Sequence, residues 1–317
     1  MFCRDENNIK KDIIPYLSPK IKDLILNLRS QDYTLLEEIR LRCGKPLIIK
    51  LGDKDYTVNN KGIFTDELDE GYIADEVDLY RTIASISDNS LYAFEEEIKR
   101  GFITIPGGHR VGLAGQVVLN GGDIKTIKDF SGIAIRVARE INNCSVHILP
   151  LIYPQRSLPK NTLIISPPRC GKTTILRDIA RAISKGYRNN KGLNVALIDE
   201  RSELAGSFKG IPQLDVGPRT DVLDSCPKAM GMIMATRSLS PQVVVTDEIG
   251  RKKDVEAIEE CINAGVTVIT TVHAKNIEEV KKRPILKGLI SSGAFKIGII
   301  LSRRNGPGSI EEVVRWD

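Results

Sequence analysis

Two stretches decide how the chain is read: Thr162-Leu-Ile-Ile-Ser-Pro-Pro-Arg-Cys-Gly-Lys-Thr-Thr174 and Val243-Val-Val-Thr-Asp-Glu248. The first passes from an apolar strand into a helix start and matches the phosphate-loop pattern G-x-x-x-x-G-K-[ST] at Gly171, Lys172 and Thr173. Pro168, Arg169, Cys170, Gly171, Lys172, Thr173 and Thr174 are expected to curl around a phosphate, with backbone N–H groups and a helix N-terminus favouring its negative charge. Lys172 would neutralise β/γ oxygens, and the Thr173 hydroxyl would coordinate Mg²⁺. Ser166 stands where the pattern has its first glycine, which gives up glycine's free access to positive φ at that turn. The second stretch is an apolar strand ending in two carboxylates. Asp247 is expected to hold Mg²⁺, and Glu248 is placed to orient or deprotonate the attacking water.

Outward from these stretches, apolar strands alternate with helices. Strands are expected at 162–165, 194–198, 243–246 and 266–271, with helices at 172–184, 226–238 and 254–264. That rhythm indicates a mostly parallel sheet with helices on both faces. The segments 296–302 and 310–315 are expected to complete the sheet as antiparallel strands. Two further strand ends carry chemistry: Leu197-Ile-Asp-Glu-Arg-Ser-Glu203, with Asp199 and Glu200, and Thr270-Thr-Val-His-Ala274, with His273. In a parallel sheet all these ends share one rim, where ligands bind. One carboxylate cluster would serve the metal and the other the water, and spacing does not say which. His273 is either a structural histidine or a group that hydrogen-bonds the γ-phosphate.

The prolines at 150, 154 and 159 mark the domain boundary. Residues 1–150 read as a smaller α+β domain, with short helices and strands, glycine-punctuated hairpins over 102–122 closed by Asn120-Gly-Gly-Asp, and a strand at 133–139. Residues 151–317 read as the nucleotide-handling domain. The first part carries 20 Lys+Arg against 23 Asp+Glu, and the second 26 against 18, so nets of −3 and +8 sum to the chain's +5. A basic second half suits a handler of polyanions, as it suits any solvated basic face.

Composition removes other classes. At 41% apolar and 27% charged, the 317 residues are ordinary for a globular protein. No apolar run reaches the ~18 residues of a membrane helix, and the first eleven residues lack the apolar core of a secretory signal. The six cysteines form no C-x2-C pair, and the three histidines are scattered, which argues for reduced thiols and against a zinc centre.

The four strand ends, in this order, resemble the type II/IV secretion ATPase superfamily, with a phosphate loop, an acidic box at Glu200, a second acidic strand end and a histidine box at His273. Asp247 stands where many relatives carry glycine. Leu36-Glu-Glu-Ile-Arg-Leu-Arg-Cys-Gly-Lys-Pro-Leu47, Gly101-Phe-Ile-Thr-Ile-Pro-Gly-Gly-His-Arg-Val-Gly112, Ile133-Ala-Ile-Arg-Val-Ala-Arg-Glu140, Asp199-Glu-Arg-Ser-Glu203 and the Val313-Val-Arg-Trp316 ending are similar to the stage III sporulation protein AA family. The resemblance implies a RecA-like P-loop NTPase domain behind the smaller α+β domain, with ATP and Mg²⁺ as ligands. It also implies a homo-oligomeric, hexameric ring on the cytoplasmic, mother-cell side of the inner membrane. There the ring would be held peripherally through membrane proteins of a sporulation channel complex, with no specific nucleic acid. Arg136 and Arg139 match the arginines that close over the phosphates, although an alternating strand with solvated arginines reads the same way. His109 and Arg110 are weaker candidates.

Three activities compete on these residues: a Mg-ATPase motor, a nucleic-acid translocase on the same core, and an ATP-binding scaffold with little turnover. Aromatics at only 5% of the chain leave few stacking platforms for single strands, which counts against the second.

Overall fold

The computed structural model describes residues 6–153 and 157–316. Its contacts divide the chain at Glu140/Ile141 into two compact units. This lies ahead of the proline stretch because the segment after Glu140 is anchored to the second unit: Asp178 accepts the backbone N–H groups of Asn143 (3.0 Å) and Ser145 (2.8 Å) and the Ser145 hydroxyl (2.7 Å).

The first unit opens with helices α1 (Glu6–Asp12), α2 (Pro19–Leu26) and α3 (Ser30–Leu35). Strands β1 (Leu36–Arg42), β2 (Lys45–Pro46), β3 (Ile48–Leu51), β4 (Lys54–Val58), β5 (Phe64–Thr65) and β6 (Ile73–Ala74) follow, then α4 (Glu76–Ile86) and α5 (Glu95–Lys99). The unit ends with β7 (Phe102–Ile105), β8 (His109–Asn120) and β9 (Asp123–Arg136). Seven strands form one antiparallel sheet in the order β5-β4-β3-β1-β9-β8-β7, and β2 pairs with β6. Gly121 and Gly122, at φ 60° and 95°, close the β8–β9 hairpin as the two left-handed residues such a tight turn requires. Of the strand expected at 133–139, residues 133–136 form the end of β9, a single 14-residue strand, while 137–139, with Arg139, lie beyond it. One face of the sheet, with Ile39, Leu41, Val111, Ile133 and Ile135, packs into the unit's core.

The second unit comprises α6 (Leu149–Ile152), β10 (Thr162–Ser166), α7 (Lys172–Lys185), β11 (Val195–Asp199), β12 (Thr220–Asp224), α8 (Lys228–Ser238), β13 (Val243–Thr246), α9 (Lys252–Asn263) and β14 (Thr267–His273). It closes with α10 (Ile277–Lys281), α11 (Pro284–Ser291), β15 (Ile297–Ser302) and β16 (Ser309–Arg315). The sheet order is β12-β11-β13-β14-β10-β15-β16, and only β16 runs antiparallel to its neighbour. The expectation of two antiparallel closing strands is therefore corrected for β15, which pairs parallel to β10. Helices α10 and α11 supply the long crossover that a parallel pairing needs. Strands β10, β11 and β13 are buried along their whole length, and separate hydrophobic clusters lie to either side of the sheet. The chain leaves β10 for the far edge at β12, returns through β13 and β14, and then passes beyond β10 to β15. This puts the reversal of strand order at β10, and the loop after such a strand faces the binding crevice of an open α/β sheet.

Candidate active site

The strand register brings the sequence-predicted residues of the second unit to one rim. Ser166 lies opposite His273, Asp199 opposite Asp224, Ile198 opposite Thr246, and Thr246 opposite Thr270.

The loop after β10 takes its left-handed residues at Arg169 (φ 62°) and Gly171 (φ 82°), and Ser166 is not among the positive-φ residues. The cost expected from replacing the first glycine is thus corrected: Ser166 is still strand, and its carbonyl and hydroxyl both receive the Lys172 ammonium, at 3.1 and 3.2 Å. Lys172 also donates to the Pro167 carbonyl at 3.1 Å and lies 2.7 Å from His273 Nδ1. Burial holds the Lys172 ammonium below its usual pKa, with Glu248, Cys170 and Asp247 pulling it back up. Left-handed residues at alternate positions are the backbone pattern from which anion nests at a helix N-terminus are built. A Cβ on Gly171 would meet Pro307 at 3.5 Å, because the β15–β16 turn packs on the loop.

His273 Nε2 lies 3.2 Å from Glu248 Oε1, so Lys172, His273 and Glu248 form a continuous line. Glu248 has φ 39°, a backbone conformation that costs a non-glycine residue on the order of 1–3 kcal/mol. Thr271 on β14 holds it there: its hydroxyl accepts the Glu248 N–H at 2.9 Å, and its carbonyl accepts the Ile249 N–H at 2.9 Å. Such a clamp aims the carboxylate out of the strand end. Arg201 reaches the other Glu248 oxygen at 3.6 Å.

The two carboxylates of the β11 end have different surroundings. Asp199 is buried and accepts the backbone N–H groups of Glu203 (2.9 Å), Leu204 (3.0 Å) and Ala205 (2.8 Å), so it folds the following loop. Burial pushes its carboxyl up to about 6, against those hydrogen bonds. Arg177 of α7 donates to the carbonyls of Glu203 and Leu204 in the same loop. Glu200, the next residue, points to Lys228 Nζ at 2.6 Å. Lys228 escaped the sequence reading, since a lysine at a helix start has no motif attached to it.

Asp247 is buried, and its Oδ1 has no hydrogen-bond partner. Burial raises its carboxyl above the usual range, Lys228 opposing and Glu203 and Glu248 adding to the effect. An orphaned buried carboxylate oxygen is costly unless something binds it, and it fits a cation ligand. Among the described residues no group of three or more His, Cys, Asp or Glu side chains could hold a metal alone. A hard cation that takes one or two protein oxygens and fills its other positions with phosphate and water, as Mg²⁺ does, suits a single free carboxylate oxygen of this kind. A cavity of about 220 Å³ opens at the carboxylate end of the rim, lined by Glu200, Arg201, Lys228, Glu248, Arg251 and His273 among others; neither Asp247 nor Thr173 lines it.

In the first unit Arg136 pairs with Glu38 at 3.3 Å, and Arg139 reaches Glu37 at 3.8 Å and the Leu36 carbonyl at 3.5 Å. Arg136 stays largely exposed, its side chain retaining 70% of its accessible surface. His109 is fully buried, accepts the Ala138 N–H at 3.0 Å, and lies 3.9 Å from Asp12, which makes it part of that unit's framework. Among the described residues no helix is long and apolar enough to cross a membrane.

Comparison with known proteins places the chain and its fold. The chain is 40% identical over 307 residues to stage III sporulation protein AA of Bacillus subtilis (strain 168), covering 96% of this chain and 95% of that one. The fold is that of the secretion-type ATPases. It superposes on the pilus retraction motor PilT with bound ADP at a TM-score of 0.60 and 16% identity, over 95% of this chain and 84% of that one. On the Legionella pneumophila ATPase DotB the TM-score is 0.55 at 14% identity, over 88% and 75% of the two chains. The family model described as Sporulation stage III, protein AA matches residues 7–315, and the chain belongs to that family.

Proposed function

We propose that the chain is a Mg²⁺-dependent ATPase motor whose hydrolysis cycle opens and closes its two units. The observation that supports this best is the line from Lys172 through His273 to Glu248, beside the orphaned Oδ1 of Asp247. In this reading Lys172 would neutralise phosphate, His273 would relay hydrogen bonds, Glu248 would serve as the base and Asp247 as a metal ligand.

In this reading Lys172 gives up the Ser166 and Pro167 carbonyls for the β/γ oxygens of ATP, while the loop amides hold the same phosphates. Thr173 and Asp247 would hold Mg²⁺, which would supply neutralisation of phosphate charge. Glu248, aimed by Thr271, orients the attacking water and takes its proton. His273 touches both Lys172 and Glu248, so departure of the γ-phosphate alters both ends of one hydrogen-bonded line. Glu200, tied to Lys228, orients the metal end of the site. Arg136 and Arg139 close over the phosphates from the first unit and release on product loss, a ligand-driven domain closure. The family resemblance supports a hexameric ring held at a membrane channel complex through a partner protein, with force applied to protein partners.

Nucleotide binding and turnover in the unmodified protein, Lys172→Ala and Glu248→Gln test the reading. The unmodified protein should hydrolyse ATP only with Mg²⁺. Lys172→Ala should lose binding, and Glu248→Gln should bind ATP yet turn over about 10²-fold more slowly, the low end of what general-base catalysis contributes. Tight ATP binding with no turnover in the unmodified protein would make it a nucleotide-gated scaffold instead.

A further inference from the structure

Lys228 is placed against three ordinary preferences. It is the first residue of α8, where the positive end of the helix dipole repels a cation. It is only 8% exposed, so its ammonium is largely stripped of water. Fixing a long side chain also costs rotamer entropy. The groups opposite it explain why it stays: Nζ lies 2.6 Å from Glu200 Oε2 and 3.9 Å from Asp247 Oδ1. The two distances mean different things. The first is a short charge-assisted hydrogen bond that fixes Glu200. The second is beyond hydrogen-bonding distance, so Asp247 Oδ1 receives charge balance while its lone pairs remain free. Residues that break local rules in this way are expected at functional sites.

We propose that Lys228 is a positioning residue acting as a built-in counter-ion. Its ammonium grips Glu200 and balances Asp247, keeping the acid cluster compact before metal and nucleotide bind, and so lowers the affinity of Asp247 for a divalent cation arriving alone. This inference rests on the ATPase reading. Its consequence is an order of events: a cation near Asp247 opposes free Mg²⁺, and the negative charge of the triphosphate overcomes that opposition. Lys228 thus makes metal uptake depend on nucleotide, without touching the reacting atoms.

The test is the Mn²⁺ affinity of the full chain, read by electron paramagnetic resonance of free Mn²⁺, with and without a non-hydrolysable ATP analogue. Lys228→Met should tighten Mn²⁺ binding in the absence of nucleotide by at least about fivefold, which is what removing one unit charge about 4 Å from the metal ligand gives even at the dielectric of water. Lys228→Arg, which keeps the charge, should stay within about twofold of the unmodified protein. If Lys228→Met does not fold, Lys228→Gln serves, since it still donates to Glu200 but carries no charge. Affinity unchanged or weakened in a folded neutral variant overturns the proposal. So does unfolding of both neutral variants, which would mark Lys228 as part of the structural framework only. Failure of the unmodified protein to bind the analogue at all would instead remove the ATPase reading beneath it; analogue binding with Mn²⁺ affinity unmoved removes this inference alone.

Discussion

At the scale of single residues, the rim owes its shape to side chains that hold backbone. Asp199 is the clearest case, because one carboxylate collects three N–H groups and so fixes the loop carrying Glu200, Arg201 and Ser202. Burial raises its carboxyl from the usual 3.8 to about 6. The folded form therefore holds a proton that the unfolded chain has already lost between those values, and stability contributed by this group falls as pH rises from about 4 to 6, then levels off. A shift of about two units corresponds to ~3 kcal/mol. Asp199→Asn should remove that slope from urea midpoints measured at pH 4, 5, 6 and 7. It should also lower the whole curve, since an amide offers one acceptor oxygen instead of two; an unchanged slope would refute the assignment. Thr271 is a second residue of this kind. Thr271→Val keeps the shape and deletes the hydroxyl that receives the Glu248 N–H, so turnover should fall while nucleotide affinity and melting temperature hardly move. Equal losses in affinity and turnover would show instead that the clamp supports the whole site. Gly171→Ala is expected to be more damaging than its single methyl suggests, because φ 82° is a conformation L-residues rarely adopt, although the added carbon itself would make only ordinary contact with Pro307 at 3.5 Å.

At the scale of elements, α7 joins the site to its surroundings. Its N-terminus carries the phosphate loop, and Arg177 holds the Glu203–Leu204 carbonyls. The next residue, Asp178, holds Asn143 and Ser145 and is bridged by Arg181 at 2.6 Å. Burial would raise the Asp178 carboxyl, but the hydrogen bonds of Ser145, Arg181 and Asn143 outweigh it and lower the pKa. Its stabilising contribution is thus complete above the usual carboxylate range and lost as pH falls through the lowered value. Asp178→Asn should cost about 3–5 kcal/mol near neutral pH, as breaking a buried pair does. It should also expose the chain near Ile141 to limited proteolysis, and an unaltered cleavage pattern would argue that other contacts hold that segment. The elements also show how much of the molecule was legible. Apolar runs at β10, β11, β13 and β14 were readable because strands buried on both faces need continuous hydrophobicity, and the strand-to-helix turn at Gly171 because a glycine before a helix start stands out in sequence. Strand β12 was not, since Thr220-Asp-Val-Leu-Asp224 lies at the sheet edge, half-buried and without a strong pattern. The direction of β15 depends on a crossover through α10 and α11, a tertiary fact that no local periodicity carries. Lys228 was invisible for a similar reason: its meaning lies in Glu200 and Asp247, 28 and 19 residues away in sequence.

At the scale of the whole molecule, the two units have separate hydrophobic cores, one built on the antiparallel sheet and the others flanking the parallel sheet. A chain with separate cores is expected to unfold in more than one step, so calorimetry should resolve a transition for each unit. The phosphate loop, both acidic strand ends and His273 belong to the second unit. Mg-ATP analogue at about 100 times its dissociation constant should therefore stabilise that unit by ~2.7 kcal/mol. A static binding domain would show the shift in that transition alone. A motor in which Arg136 and Arg139 close over the phosphates makes a further prediction, because the first unit then gains contacts only in the nucleotide-bound state. Its transition should rise as well, and the two should draw together. In Arg136→Ala/Arg139→Ala the second unit's shift should largely remain while the first unit's disappears, and turnover should drop more than affinity. If the nucleotide moved both transitions equally in that double variant, closure would depend on other groups and the arginines would leave the proposed site. If it moved only the second transition in the unmodified chain, hydrolysis would have no domain motion to drive.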